Sequence, residues 1–140
     1  VGIASIRREL RTSTSPKHAI KRVDRFLSNT KVPLVKMLEN YIAWVIGPRQ
    51  SIAISCDWTK VREWPVLVAS LVYQGRSIPL LWWAVLNPKK LNRSWNAFEN
   101  GFFTLLSRLL PEKVKATVLL DRGCKRVSLL RHLDRCVLVK

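Results

Sequence analysis

The spacing of hydrophobic residues changes near residue 50 and predicts two kinds of structure along the chain. In residues 16–48, apolar side chains recur every three or four positions, which is the spacing of an amphipathic helix. Ser15 and Pro16 are typical of a helix start, and Pro33 opens a second helical pattern. We therefore expect two helices here, preceded by a flexible basic arm over residues 1–15.

Beyond residue 50 the apolar residues are mostly Ile, Val, Leu and Trp, which favours strands. The predicted strands are residues 51–58, 65–73, 77–86, 116–120 and 136–139, and the predicted helices begin near Ser94 and at Val127. The inward side of the helix near Ser94 is expected to carry Phe98, Phe102, Leu105, Leu106 and Leu109. Gln74-Gly75-Arg76 is a short connection of the kind that joins a hairpin. The order β-β-β-α-β-α-β predicts an α/β fold with a mixed sheet covered by helices.

The charge of the chain is strongly positive. Lys and Arg number 25 against 9 Asp and Glu, a formal net charge of +16. Self-repulsion at this level is relieved by a polyanionic partner, so nucleic acid is the first candidate and an anionic membrane surface the second. The phosphate-contacting candidates form three clusters: Lys17, Lys21, Arg22 and Arg25; Lys89, Lys90 and Arg93; and Arg122, Lys125 and Arg126.

Several classes of protein are disfavoured by the sequence. No apolar run approaches the roughly 20 residues of a membrane-spanning helix. The three cysteines show no Cys-x-x-Cys spacing, so we expect neither a disulfide framework nor a zinc site and favour a reducing cytosol. A Gly-rich phosphate loop and a hydrolase triad are both missing from the sequence.

Two aspartates follow the segments that are predicted to be the most buried strands. Asp57 is expected at the C-terminal end of the first strand, and Asp121 directly after residues 116–120. If these strands are parallel neighbours, both carboxylates emerge at one edge of the sheet, where such sheets tend to bind ligands. Two close carboxylates need a cation between them, and Mg²⁺ takes such oxygen ligands. The alternative is that both aspartates are turn formers.

The motifs around these aspartates resemble those of bacterial insertion-sequence transposases of the DDE type. Within that family, the chain looks like the group whose third acidic residue lies in a Tyr…Arg…Glu…Lys motif. The similar segments are residues 17–27, Ser55-Cys56-Asp57-Trp58-Thr59, residues 69–82 and Leu119-Leu120-Asp121-Arg122-Gly123. Their order and spacing carry the resemblance, which extends from about residue 17 to residue 140.

The resemblance implies a partial ribonuclease-H-like catalytic core over residues 49–140 and a helical, DNA-contacting segment over residues 16–48. Asp57 and Asp121 match the first two catalytic aspartates, which with a later glutamate hold two Mg²⁺ ions, replaceable by Mn²⁺, for phosphodiester cleavage and strand transfer. The implied partners are transposon-end and target DNA, with homodimers in the intact protein and a nucleoid-associated location in the bacterial cytoplasm. No membrane partner is implied.

The chain also departs from the family pattern. The third carboxylate has no counterpart up to residue 140, because Glu99 and Glu112 both precede Asp121. We therefore expect that this chain alone neither transposes nor cleaves DNA. The alternative function is a non-enzymatic, basic nucleic-acid-binding protein.

Overall fold

A computed structural model describes residues 13–85, 94–120 and 126–135 of the chain. The contacts divide the chain into two compact units, residues 1–34 and residues 35–140. The helices of the described residues are α1 (Pro16–Leu27), α2 (Leu34–Ile46), α3 (Trp95–Leu109) and α4 (Val127–Arg135). The strands are β1 (Ser51–Val61), β2 (Trp64–Tyr73), β3 (Arg76–Ala84) and β4 (Lys115–Leu120). This order confirms the predicted elements up to α4, and the strand predicted at residues 136–139 lies outside the described residues.

The four described strands form one mixed sheet in the order β3-β2-β1-β4. β1, β2 and β3 are antiparallel neighbours, whereas β4 lies parallel to β1 on its other side. The parallel pairing requires a crossover connection, and α3 lies in the crossover between β3 and β4. The expected α/β fold with a mixed sheet is therefore confirmed.

Both hairpins close through two-residue turns. In the second hairpin, Gln74 and Gly75 have positive φ angles of 49° and 73°. A two-residue turn with positive φ at both positions matches the right-handed twist of the flanking strands. The hairpin predicted at this point is confirmed.

The first hairpin is longer than the sequence predicted. β1 continues to Val61, which pairs with Trp64, so that Arg62 and Glu63 form the turn. The predicted strand ended at Trp58 because the next residues are polar. Pairing with β2 supplies the backbone hydrogen bonds that extend the strand, whatever the polarity of its exposed side chains.

The core of the second unit lies on one face of the sheet. Register places Trp58, Leu67 and Trp83 side by side on this face. Phe98 of α3 packs on both tryptophans, with ring centroids 5.7 Å from Trp58 and 5.0 Å from Trp83. Ile54, Cys56, Ala69, Phe102, Phe103, Leu106, Leu129 and Leu133 complete the fully buried centre, to which α2 adds Ile42 and Ile46.

Helix α1 belongs to the first unit and begins at Pro16, after Ser15, as predicted. Its apolar face is only partly buried: Ala19 and Val23 are buried, whereas Phe26 and Leu27 are more than half exposed. The described residues include no helix that is long and apolar enough to cross a membrane.

Candidate metal and nucleic-acid site

Asp57 lies within β1, not at its end. It is the seventh of the eleven residues of the strand and its side chain is exposed. The prediction that Asp57 lies at the C-terminal end of the first strand is therefore wrong, because the hairpin pairing described above extends β1 to Val61, four residues beyond Asp57. Asp57 pairs with Val68, which pairs in turn with Trp82, so the carboxylate lies on the opposite face of the sheet from the aromatic core.

The second predicted aspartate follows the strand that is parallel to β1. The pairing of β1 with β4 extends from Ser51 and Lys115 to Cys56 and Leu120. In the sequence, Asp57 and Asp121 each come one residue after the last of these pairs. The parallel arrangement that the sequence argument required is present, and Asp121 itself lies outside the described residues.

The surroundings of Asp57 do not match those of a turn-forming aspartate. Its neighbours Cys56 and Trp58 are both paired with β2, and no hydrogen bond or ion pair of its side chain is found within the described part of the chain. Asp is depleted in strands, since its short polar side chain competes with the backbone for hydrogen bonds. An exposed carboxylate in the middle of a strand is therefore available to a ligand.

The described residues contain no group of three or more His, Cys, Asp or Glu side chains that could hold a metal ion. A metal site at Asp57 would use its carboxylate together with residues beyond the described ranges, Asp121 among them. The oxygen ligands that two aspartates offer suit a hard cation such as Mg²⁺. Cys56 is not a candidate ligand, because its side chain is buried in the core.

A buried carboxylate on α3 connects three elements of the second unit. Glu99 is only 9% exposed. Its Oε1 accepts a hydrogen bond of 3.1 Å from the indole Nε1 of Trp58 on β1. Its Oε2 accepts from Nε and Nη2 of Arg126, at 3.2 and 2.6 Å. The ion pair joins α3 to the residue just before α4, and the indole bond joins α3 to the residue after Asp57.

The Arg126 guanidinium has further partners beside Glu99. Its Nη2 also lies 3.3 Å from the amide oxygen of Asn100, and its Nη1 donates to the hydroxyl of Ser128 at 3.1 Å. Arg126 is one of the predicted phosphate-contacting residues, and any phosphate contact would compete with this ion pair. The sequence carried a signal for Glu99, since it lies between Phe98 and Phe102 on the apolar side of α3, where an unpaired carboxylate is not tolerated.

The predicted basic clusters differ in how much of them the structure describes. The cluster on α1 is fully described, and its four side chains are all exposed: Lys17, Lys21, Arg22 and Arg25. Lys89, Lys90, Arg93, Arg122 and Lys125 lie outside the described residues. The first turn of α1 contains no acidic residue, and its basic residue Lys17 is exposed to solvent.

No protein-family model, curated protein or solved structure matches this chain. The resemblance to DDE transposases thus rests on the motifs around Asp57 and Asp121. Whether those motifs carry function depends on the geometry of the sheet that presents them and on the charge around it.

Proposed function

We propose that this chain is a piece of a DDE-type transposase that binds DNA and presents Asp57 and Asp121 to a divalent metal ion. One observation carries the proposal: β4 is the parallel neighbour of β1, and their pairing ends one residue before each aspartate. Because β1 and β4 are paired in parallel, the position after Cys56 and the position after Leu120 follow from neighbouring points of the sheet, although Asp57 itself lies within β1. We propose on this basis that Asp57 and Asp121, 64 positions apart in sequence, contribute to one site.

The fold that we propose for the second unit is ribonuclease-H-like. Support comes from three antiparallel strands in chain order, followed by a helix and a strand that returns to pair in parallel with the first. The predicted strand at residues 136–139 would extend this sheet. The two segments that resemble DDE-family motifs, around Asp57 and Asp121, include Cys56 and Leu120, the last residues of the pairing between β1 and β4.

In the proposed site, Asp57 and Asp121 supply carboxylate oxygens to Mg²⁺. A divalent ion bound there supplies Lewis-acid stabilisation of the charge that develops on a phosphodiester during cleavage. Asp57 suits this role because its carboxylate is exposed and has no partner in the described part of the chain. The backbone pairing of β1 with β4 extends to the residue before each of the two aspartates.

The positive charge provides the proposed attraction for DNA. A formal net charge of +16 on 140 residues favours any polyanion, and the exposed basic side chains of α1 are suited to phosphate contacts. Contacts of this kind position a duplex without reading its sequence. The proposal therefore predicts DNA binding that weakens steeply with added salt.

The decisive experiment is a Mn²⁺ titration of the full chain and of the Asp57→Asn/Asp121→Asn double variant. Mn²⁺ accepts the oxygen ligands that Mg²⁺ prefers, and its binding is detected directly by its paramagnetism. We expect saturable binding by the parent chain that is lost in the double variant. Circular dichroism of both proteins establishes that the loss does not come from unfolding.

The matched control is the Asp24→Asn/Asp134→Asn double variant. It removes the same charge from two exposed aspartates on α1 and α4, so nonspecific attraction of Mn²⁺ to acidic residues falls equally in both double variants. Equal affinity in the parent chain and the Asp57/Asp121 variant would contradict the metal site. Binding of DNA without any such site would then favour the non-enzymatic nucleic-acid-binding protein.

A further inference from the structure

An open surface cavity of about 400 Å³ lies between the β1–β2 hairpin and the start of α3. Its lining residues are Trp58, Thr59, Lys60, Pro65, Trp95 and Glu99. The volume falls within the range of small-molecule sites, roughly 300–1,000 Å³. The cavity lies on the side of the sheet that carries the aromatic core, whereas Asp57 lies on the other face. Asp57 is not among its lining residues.

The walls of the cavity are aromatic. The rings of Trp58 and Trp95 meet edge to face, with centroids 5.2 Å apart and planes at 81°. Trp58 is held from behind by Phe98 and by its indole hydrogen bond to Glu99, so its position is fixed. Trp95 remains 43% exposed, although it is a large apolar side chain on the first turn of α3. A planar ring entering the cavity would cover this exposed surface.

The charges around the cavity favour an anionic ligand over a cationic one. Glu99 is the acidic residue of the lining, and its carboxylate is already neutralised by the Arg126 guanidinium. Lys60 is exposed and lines the same cavity, and no ion pair of Lys60 is found among the described residues. A ligand that combines a flat aromatic ring with a negative group therefore fits best.

We propose that this cavity binds one unpaired nucleobase of a single-stranded nucleic acid, with the base stacked on Trp95 and the adjoining phosphate next to Lys60. Stacking on aromatic side chains together with a positive groove is how proteins hold single strands. A base inside a duplex is covered on both faces by its neighbours, so the cavity discriminates against intact double-stranded DNA. The proposal rests on the proposed function, since it adds a single-strand site to a protein that acts on DNA.

The test compares the affinities of full-length variants for a labelled single-stranded oligonucleotide of mixed sequence by fluorescence anisotropy. Base stacking on an aromatic residue is worth roughly 1–3 kcal/mol, so we expect Trp95→Ala to weaken single-strand binding about 5- to 150-fold. Trp95→Phe keeps a stacking ring and should retain most of the affinity. Duplex binding should change by less than about twofold in both variants, because the duplex does not enter the cavity.

Trp44→Ala is the matched control. Trp44 on α2 is 79% exposed and is not among the lining residues, so its replacement removes an exposed indole that does not line the cavity. An equal loss of affinity in Trp44→Ala and Trp95→Ala would overturn the proposal. So would unchanged single-strand affinity in Trp95→Ala when circular dichroism shows that the variant is folded.

The outcomes separate this proposal from the proposed function. If the parent chain binds duplex DNA and Mn²⁺ as proposed, but Trp95→Ala leaves single-strand affinity unchanged, only the base site is refuted. Single-strand binding that depends on Trp95, in a chain without an Asp57-dependent metal site, would retain the base site and remove the transposase proposal. A parent chain that binds neither single-stranded nor double-stranded DNA would overturn both.

Discussion

Replacing Glu99 by Ala removes the buried acceptor that joins β1, α3 and the start of α4. The substitution leaves the Arg126 guanidinium without its counter-charge and the indole N–H of Trp58 without its acceptor. The side chain of Arg126 is 23% exposed, so the stranded cation is partly shielded from water. We expect a large loss in the free energy of unfolding, because an unpaired buried charge is costly even when the pair itself contributes little.

The magnitude follows from the burial of the pair. Breaking a buried ion pair from one side costs roughly 3–5 kcal/mol, and the residual exposure of Arg126 favours the lower end, about 3 kcal/mol. For a protein of this size that corresponds to a fall in Tm of about 10 °C. Glu99→Gln keeps a neutral oxygen acceptor in the same place and should lose less, about 1–2 kcal/mol.

Equilibrium unfolding in urea, followed by tryptophan fluorescence, measures these losses. Glu112→Ala is the control, since it removes a carboxylate that is exposed to solvent. The double variant Glu99→Gln/Arg126→Met also removes the cation. Its loss in free energy of unfolding should therefore be smaller than the sum of the losses in Glu99→Gln and in Arg126→Met. A Glu99→Ala variant as stable as Glu112→Ala would refute the reasoning.

Two further predictions concern the core and the DNA contacts. Phe102 on α3 is fully buried, so Phe102→Ala should lower the free energy of unfolding, measured in urea, by about 3–5 kcal/mol. Phe26 on α1 is 54% exposed, so Phe26→Ala should lower it by less than about 1 kcal/mol. Similar losses would contradict the assigned core. Lys21→Ala on α1 should reduce the slope of log affinity for duplex DNA against log salt by about 1. Lys36→Ala, which removes a lysine already paired with Glu39, should leave that slope nearly unchanged, and equal slopes in all three proteins would contradict a phosphate contact by Lys21.

The order of helices and strands was predictable from the sequence because it depends on local pattern. The Ile- and Val-rich segments became β1 and β2, and Gln74-Gly75 became a two-residue turn with positive φ at both positions. The end of β1 was not predictable in the same way. Residues 59–61 lack a clear apolar pattern, and only their pairing with residues 64–66 keeps them in the strand.

The exposure of helix α1 shows the same limit. Helical spacing identifies which side chains share one face of α1, but it does not say how much of that face another element covers. Ala19 and Val23 are buried, whereas Phe26 and Leu27 are not. Periodicity predicts a common direction, and burial depends on contacts that are distant in sequence.

For the candidate site, the sequence determined which residues offer chemistry: two aspartates beside Ile- and Leu-rich segments, in a chain with a net charge of +16. The tertiary structure decided how those residues are arranged. Strand pairing made β4 the parallel neighbour of β1 and turned Asp57 away from the aromatic core. The packing of α3 on the sheet brought Glu99 to Trp58, 41 positions earlier, and to Arg126, 27 positions later. Local propensities set each element separately, whereas the contacts that shape a buried ion pair or an aromatic cavity exist only after the chain has folded.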